Sequence, residues 1–172
     1  DVLVSMSSEY DAMVVGPREP SALERMLRGT MAVRVLLRAH CPVLIPRADV
    51  WNDSPPRVLV GVDINGPHQQ KILEYAGAWA GHVGGTLDAV YAVAERIPHI
   101  KNETVRAKAE IEWQAAHRPE LEIVDKLLKS VPDAHRGKAI LQRGQPESVL
   151  VDLSSEYSLV VLGNRERDGI TG

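Results

Sequence analysis

Asp63 closes the run Val58-Leu59-Val60-Gly61-Val62, which is apolar until a carboxylate stands at its end. Open parallel sheets take their ligands at the carboxyl ends of strands. A carboxylate there accepts hydrogen bonds from a bound molecule, or else it caps a helix or serves a turn. Both readings stand at this point. Arg18 and Glu19 are adjacent charges in a loop. Nothing nearby supplies a nucleophile and base at a readable spacing, so they read as a solvated loop, and no catalytic residue is assigned. The six histidines, His40, His68, His82, His99, His117 and His135, show neither HxxxH nor a Cys/His cluster. No metal is expected, and all six read as surface or loop residues. The single Cys41, between a helix and a Pro-led strand, reads as core packing rather than a redox thiol.

The elements that must position these residues follow from apolar periodicity. Helical spacing of Val2, Leu3 and Met6 predicts a helix end running toward Tyr10, and Ala12 to Val15 reads as a strand buried on both faces. Ser21 to Glu24 fits a capping box opening a helix to about Ala39. Val43 to Ile45 is a strand shut by Pro46, and the polar stretch before Pro56 is a linker. Beyond it come the strand ending at Asp63, a helix with Ile72, Leu73, Ala76, Trp79, Ala80 and Val83 on one face, and a strand from Leu87 to Val93. Residues Asn102 to Val131 are helical in two pieces broken before Pro119, the first anchored by Trp113. Ala139 to Leu141 is a strand, Ser148 to Ser155 a helix, and Leu159 to Leu162 a strand. Alternation of this kind predicts a doubly wound parallel α/β sheet.

The chain also repeats itself. VLVSMSSEYDAMVVGPRE, from Val2, matches VLVDLSSEYSLVVLGNRE, from Val149, at an offset of 147, and Val2, Leu3, Val4, Ser7, Ser8, Glu9, Tyr10, Val14, Gly16, Arg18 and Glu19 all recur. Solenoid periods lie at roughly 20 to 50 residues, so a repeat this long reads as a duplicated domain. We expect residues 1–47 to be the C-terminal part of one domain, 48–56 a linker, and 57–172 the N-terminal part of the next.

Composition narrows the partners. The chain is 44% hydrophobic and 25% charged, which suits an ordered globular domain. A net charge of -3 without a Lys/Arg cluster argues against a nucleic-acid partner. No apolar run approaches the roughly 20 residues that span a bilayer, so no membrane is expected and cytoplasm is the default compartment.

VLVGVD at 58–63, GQPESVLVDLSSEYSLVVLG at 144–163, the glycines at 16–30 and AHCPVLIP at 39–46 together resemble the universal stress protein family. The resemblance covers the chain apart from the linker. It implies a Rossmann-like, five-stranded parallel sheet in the order 3-2-1-4-5, with Asp63 and Gly163 facing each other across one cleft. By matching, Asp63 accepts from the adenosine part of a nucleotide, Val62 and Ala92 line the adenine slot, and Gly16, Gly29 and Thr30, or Gly163 with Arg165 in the second copy, hold the phosphates.

Where the family's ATP-binding branch reads GxxG, nine residues, then G with Ser or Thr, this chain has Gly16, Glu19, Gly29 and Thr30 at that spacing. Glu19 replaces the second glycine, and the second copy makes the same departure at Glu166. Glycine is wanted there because backbone N–H groups must approach phosphate oxygens closely. A carboxylate 4 Å from a phosphate charge is repelled by about 4 kcal/mol at an effective dielectric of about 20. Weak or absent ATP binding is the expectation for this chain. The resemblance then implies either an ATP-binding stress regulator acting through self-association, with at most slow hydrolysis, or a non-nucleotide dimerisation scaffold. Either one pairs through the edge strand Val43 to Ile45, as a homo-oligomer or between tandem domains. An adenylating ligase is disfavoured, because neither SGGxDS nor HxGH is present.

Overall fold

The structure, a computed structural model, describes residues 2–15, 35–36, 38–45, 55–95 and 99–163. It divides into two compact units, Asp1–Trp51 with Asn164–Gly172, and Asn52–Gly163.

In the first unit, α1 (Val2–Met6) tightens into a 3-10 turn at Ser7–Glu9. Ser7 is buried because its hydroxyl has two partners: it donates to the Val4 carbonyl (2.6 Å) and accepts from the His40 N–H (2.9 Å). Strand β1 (Met13–Val14) lies parallel to β2 (Val43–Leu44), with Met13 opposite Val43 and Val14 opposite Leu44. The expected helix between them is seen only at residues 35, 36 and 38, which are helical; its capping box lies outside the described residues.

The second unit carries β3 (Arg57–Gly61), α2 (Gln69–His82), β4 (Thr86–Val93), α3 (Glu103–Ala116), α4 (Arg118–Leu128), β5 (Arg136–Arg143), α5 (Pro146–Leu153) and β6 (Leu159–Leu162). Its four strands are all parallel, in the order β5-β4-β3-β6. Side chains alternate across the sheet, so Val58, Val60, Leu87 and Ala89 pack with α2 and α4 through Leu73, Ala76, Val124 and Leu128. Leu59 and Val90 face the other way, against Val149 and Leu150 of α5 and Tyr157. Helices thus cover both faces, as the α/β alternation predicts. Among the described residues the strands are four and two in separate sheets, where the resemblance implied five in one.

Local chemistry explains the boundaries. Helix α2 stops at Gly84, whose φ of +67° is the left-handed conformation, and the Gly85 N–H returns to the Ala80 carbonyl at 2.8 Å. A Cβ at Gly84 would meet nothing within 4 Å, so only its backbone conformation demands glycine. Gly84→Ala is therefore expected to destabilise the protein by about 1 kcal/mol in urea titration, with no change in fold. The Asn102 side chain accepts from the Val105 N–H (3.1 Å) and opens α3, and Pro119 lies in the first turn of α4, where its missing N–H costs nothing.

The two copies of the repeat share one backbone. Tyr10 has φ -127° and ψ 148°, and Tyr157 has -124° and 145°. Ser7 and Ser8 donate to Val4 and Ser5 as Ser154 and Ser155 donate to Val151 and Asp152. Their surroundings differ. Tyr157 is buried and Tyr10 exposed, and Val14 is exposed while its counterpart Val161 packs on the core, so the reading of residues 12–15 as a doubly buried strand does not hold.

At the amino edge of the larger sheet Asp88 is 4% exposed. It accepts from the Arg57 guanidinium (2.7 Å), the Tyr157 hydroxyl (2.8 Å) and the Lys138 backbone N–H (2.7 Å). Arg57 also lies over the Tyr157 ring, 4.4 Å from its centroid. Burial pushes the Asp88 carboxyl up, but the bonds from Lys138, Arg57 and Tyr157 outweigh it and hold the carboxyl below its ordinary value. Burial and the Asp88 charge push the Tyr157 hydroxyl well up, so it stays a donor.

Two histidines read as surface or loop residues lie at junctions between elements and have structural contacts there. His117 stacks beside Trp113 with ring centroids 4.7 Å apart, and His135 Nδ1 donates to the Gly85 carbonyl at 2.9 Å. Each ring fills a junction between elements and satisfies a backbone carbonyl there.

Candidate site at the carboxyl edge of the sheet

The ladder of β3 with β4 runs from Arg57 opposite Thr86 to Gly61 opposite Val90, and its last bond joins the Val62 N–H to the Val90 carbonyl at 2.9 Å. Continued by two residues, that register sets Val62 level with Tyr91 and Asp63 level with Ala92. On the other side Gly61 stands opposite Leu162, so Val62 is level with Gly163. Four predicted site residues thus come to one edge: Val62 buried, Asp63 and Ala92 partly buried, and Gly163 exposed. Gly16, Gly29, Thr30 and Arg165, with Glu19 and Glu166, lie outside the described residues.

The glycines here serve close approach. A Cβ on Gly61 would come within 2.8 Å of Leu162, and one on Gly163 would overlap Ile72. The main chain leaves the sheet at Asp63 in a tight turn. Asp63 Oδ1 accepts from the Asn65 N–H (3.1 Å), its carbonyl accepts from the Gly66 N–H (2.7 Å), and its own N–H donates to Gln69 Oε1 (2.9 Å). The turn role foreseen for Asp63 is therefore real. It does not exclude a binding role, since a carboxylate offers about four acceptor positions.

Level with Val62, Tyr91 packs on the core, as does Ile64 beyond Asp63. Burial, then the negative fields of Asp63 and Glu120, push its hydroxyl up, so it remains protonated. Beyond β4, Glu95 accepts from the Trp113 indole N–H (2.8 Å) and lies 3.3 Å from His117 Nε2. The Arg143 guanidinium lies over the Trp113 ring at 4.5 Å. Glu120 Oε2 and Arg143 Nε are buried without hydrogen-bond partners among the described residues. Apart from Trp113, read as the anchor of its helix, and His117, read as a surface or loop residue, none of these residues was singled out from sequence, because each owes its role to contacts across elements.

A shallow depression of about 280 Å³ opens on the outer side of α2, lined by Pro67, His68, Gln70, Lys71 and Glu74. It shares no residue with the edge site and is exposed surface. Among the described residues no cluster of His, Cys, Asp and Glu is arranged to hold a metal, and no helix is long and apolar enough to cross a membrane.

The sequence profile of the universal stress protein family matches residues 1–47 and 56–172. Universal stress protein Rv2005c of Mycobacterium tuberculosis is 28% identical over 184 residues, a match covering 99% of this chain and 57% of the relative. Rv2623 of the same organism is 29% identical over 176 residues, with the same coverage. The chain thus spans little more than half the length of these relatives. Among solved structures, a universal stress protein of Archaeoglobus fulgidus superposes with a TM-score of 0.58 at 21% identity, covering 96% of this chain and 54% of that one. PA1789 of Pseudomonas aeruginosa gives 0.62 at 18%, covering 99% and 58%. These likenesses bear on fold, and the profile match carries the assignment: the chain belongs to the universal stress protein family.

Proposed function

We propose that this chain is an adenine-nucleotide-binding part of a universal stress protein, a regulator that holds ATP at the carboxyl edge of the sheet and acts through self-association. The observation that carries the reading is the meeting of Val62, Asp63, Ala92 and Gly163 at that edge. Val62 and Ala92, apolar residues on opposite faces of the sheet at that edge, beside a carboxylate acceptor fit a purine nucleoside, with a hydroxyl or amino donor on Asp63. Gly163, and by sequence Gly16, Gly29, Thr30 and Arg165, would hold the phosphates. Bound ATP would supply charge and shape to the edge, and no residue here is assigned to cleaving it.

The repeat suggests how the parts combine. Strand β1 is the copy of β6 and takes β2 in parallel on one side. The same pairing on β6 would complete the order 3-2-1-4-5, with residues 1–47 and 57–172 as parts of two domains joined by 48–56. A second reading, a scaffold pairing through Val43 to Ile45 without nucleotide, is favoured by Glu19 and Glu166, which stand where phosphate-binding glycines are expected.

One experiment separates the readings. Nucleotide released on denaturation is analysed by anion exchange, and ATP is titrated into the stripped protein and its Glu19→Gly variant. Recovered ATP or micromolar binding by the wild type supports the regulator. Binding by the glycine variant alone, with an affinity gain of at least about 100-fold expected for removing a nearby like charge, makes the chain a scaffold.

A further inference from the structure

We propose that Gln69 is a positioning residue for the edge site, holding the Asp63 backbone in the turn that presents its carboxylate at the strand end. The inference rests on the nucleotide reading above and assigns the residue on which Asp63 depends.

Val62 makes the last ladder bond to β4. The Asp63 N–H finds a side-chain acceptor instead, Gln69 Oε1 at 2.9 Å. A backbone N–H can only donate, so it decides the orientation of the Gln69 amide: the oxygen faces Asp63 and the Nε2 group faces away. Gln69 is the first residue of α2, whose 14 residues are packed on the core through Leu73, Ala76 and Ala80, so the amide is carried on a fixed support. The turn is shaped around it. A Cβ on Gly66 would overlap Gln69 Nε2 and lie 3.1 Å from the Asp63 carbonyl oxygen. A Cβ at Gly66 would push the Gln69 amide aside, while the Gly66 N–H and that of Asn65 close on Asp63. Three groups from three positions therefore converge on one residue. Removing the Gln69 amide frees the Asp63 N–H to seek water, which changes the torsions that place the carboxylate.

The test titrates adenosine, which has no phosphate and so avoids the Glu19 question, into the full chain by calorimetry, and follows the Asp63 amide proton by NMR. Gln69→Leu is expected to weaken adenosine binding about 3- to 10-fold, the worth of one neutral hydrogen bond, and to move the Asp63 amide signal upfield. Gly66→Ala, which displaces the same amide by crowding, should reproduce both effects. In an Asp63→Ala background Gln69→Leu should change the affinity less than about two-fold, because a residue that acts only through Asp63 has nothing left to position. Wild-type affinity in Gln69→Leu, or the full loss persisting in the Asp63→Ala background, overturns the assignment of Gln69 and leaves the nucleotide reading standing. Failure of the wild type to bind adenosine or ATP removes the nucleotide reading, and the inference with it.

Discussion

Asp88→Ala is expected to destabilise the protein by about 2–4 kcal/mol in urea unfolding. The side chain accepts three hydrogen bonds, and its loss leaves the Tyr157 hydroxyl and the Lys138 N–H without their partner. Orphaning buried groups costs more than the net worth of the bonds themselves. Breaking a fully buried ion pair costs about 3–5 kcal/mol, and the estimate is set lower because the Arg57 side chain is 46% exposed and regains water. Tyr157→Phe removes one of the three donors and should cost about 1 kcal/mol.

The same carboxylate sets an acid limit. Its folded value lies below the unfolded value of about 3.9, so its stabilisation is fully present above that pH and is lost as pH falls through the folded value. A plot of stability against pH should fall below about pH 4 in the wild type and fall less steeply in Asp88→Asn. Equal slopes would show that Asp88 is not the group responsible.

Trp113→Ala should unpin α3 while leaving the sheet intact. Trp113 is the buried residue of that helix, held by Glu95 at its indole nitrogen and covered by Arg143. Truncating a core Trp typically costs about 3–5 kcal/mol, but a helix with one buried anchor can detach alone, so about 2–3 kcal/mol is expected. Hydrogen exchange is the decisive measurement. Amides of 103–116 should exchange at rates near those of a frayed segment, while those of β3 and β4 keep their protection. Uniform loss of protection would mean that α3 unfolds only with the whole unit.

These two sites also mark where sequence reading stops. Strands β3 and β4, the apolar face of α2 and the break before Pro119 were legible because they follow from periodicity and from the missing proline N–H. Asp88 was not, since a lone carboxylate in an apolar strand reads as an interruption, and Arg57 and Tyr157 are 31 and 69 residues away. Strand β5 was expected only at Ala139 to Leu141 and runs from Arg136 to Arg143. Its polar ends hide it: Lys138 gives its N–H to Asp88, and Arg143 spreads over an indole from another helix. At the edge site, Val62, Asp63, Ala92 and Gly163 came from a family pattern, whereas Gln69 carries no signal apart from the turn it closes.

The Asp88 anchor and the candidate site occupy opposite ends of the same parallel strands. From Arg57 to Asp63 is six residues, about 20 Å of extended chain, and effects of substitutions that far apart with no shared partner add independently. Changes at the binding end therefore leave the contribution of the Asp88 anchor unchanged. Ligand contacts at one edge and the anchor at the other can therefore vary as separate quantities, each substitution carrying its own cost. The glutamates at 19 and 166 are differences of the kind such freedom permits.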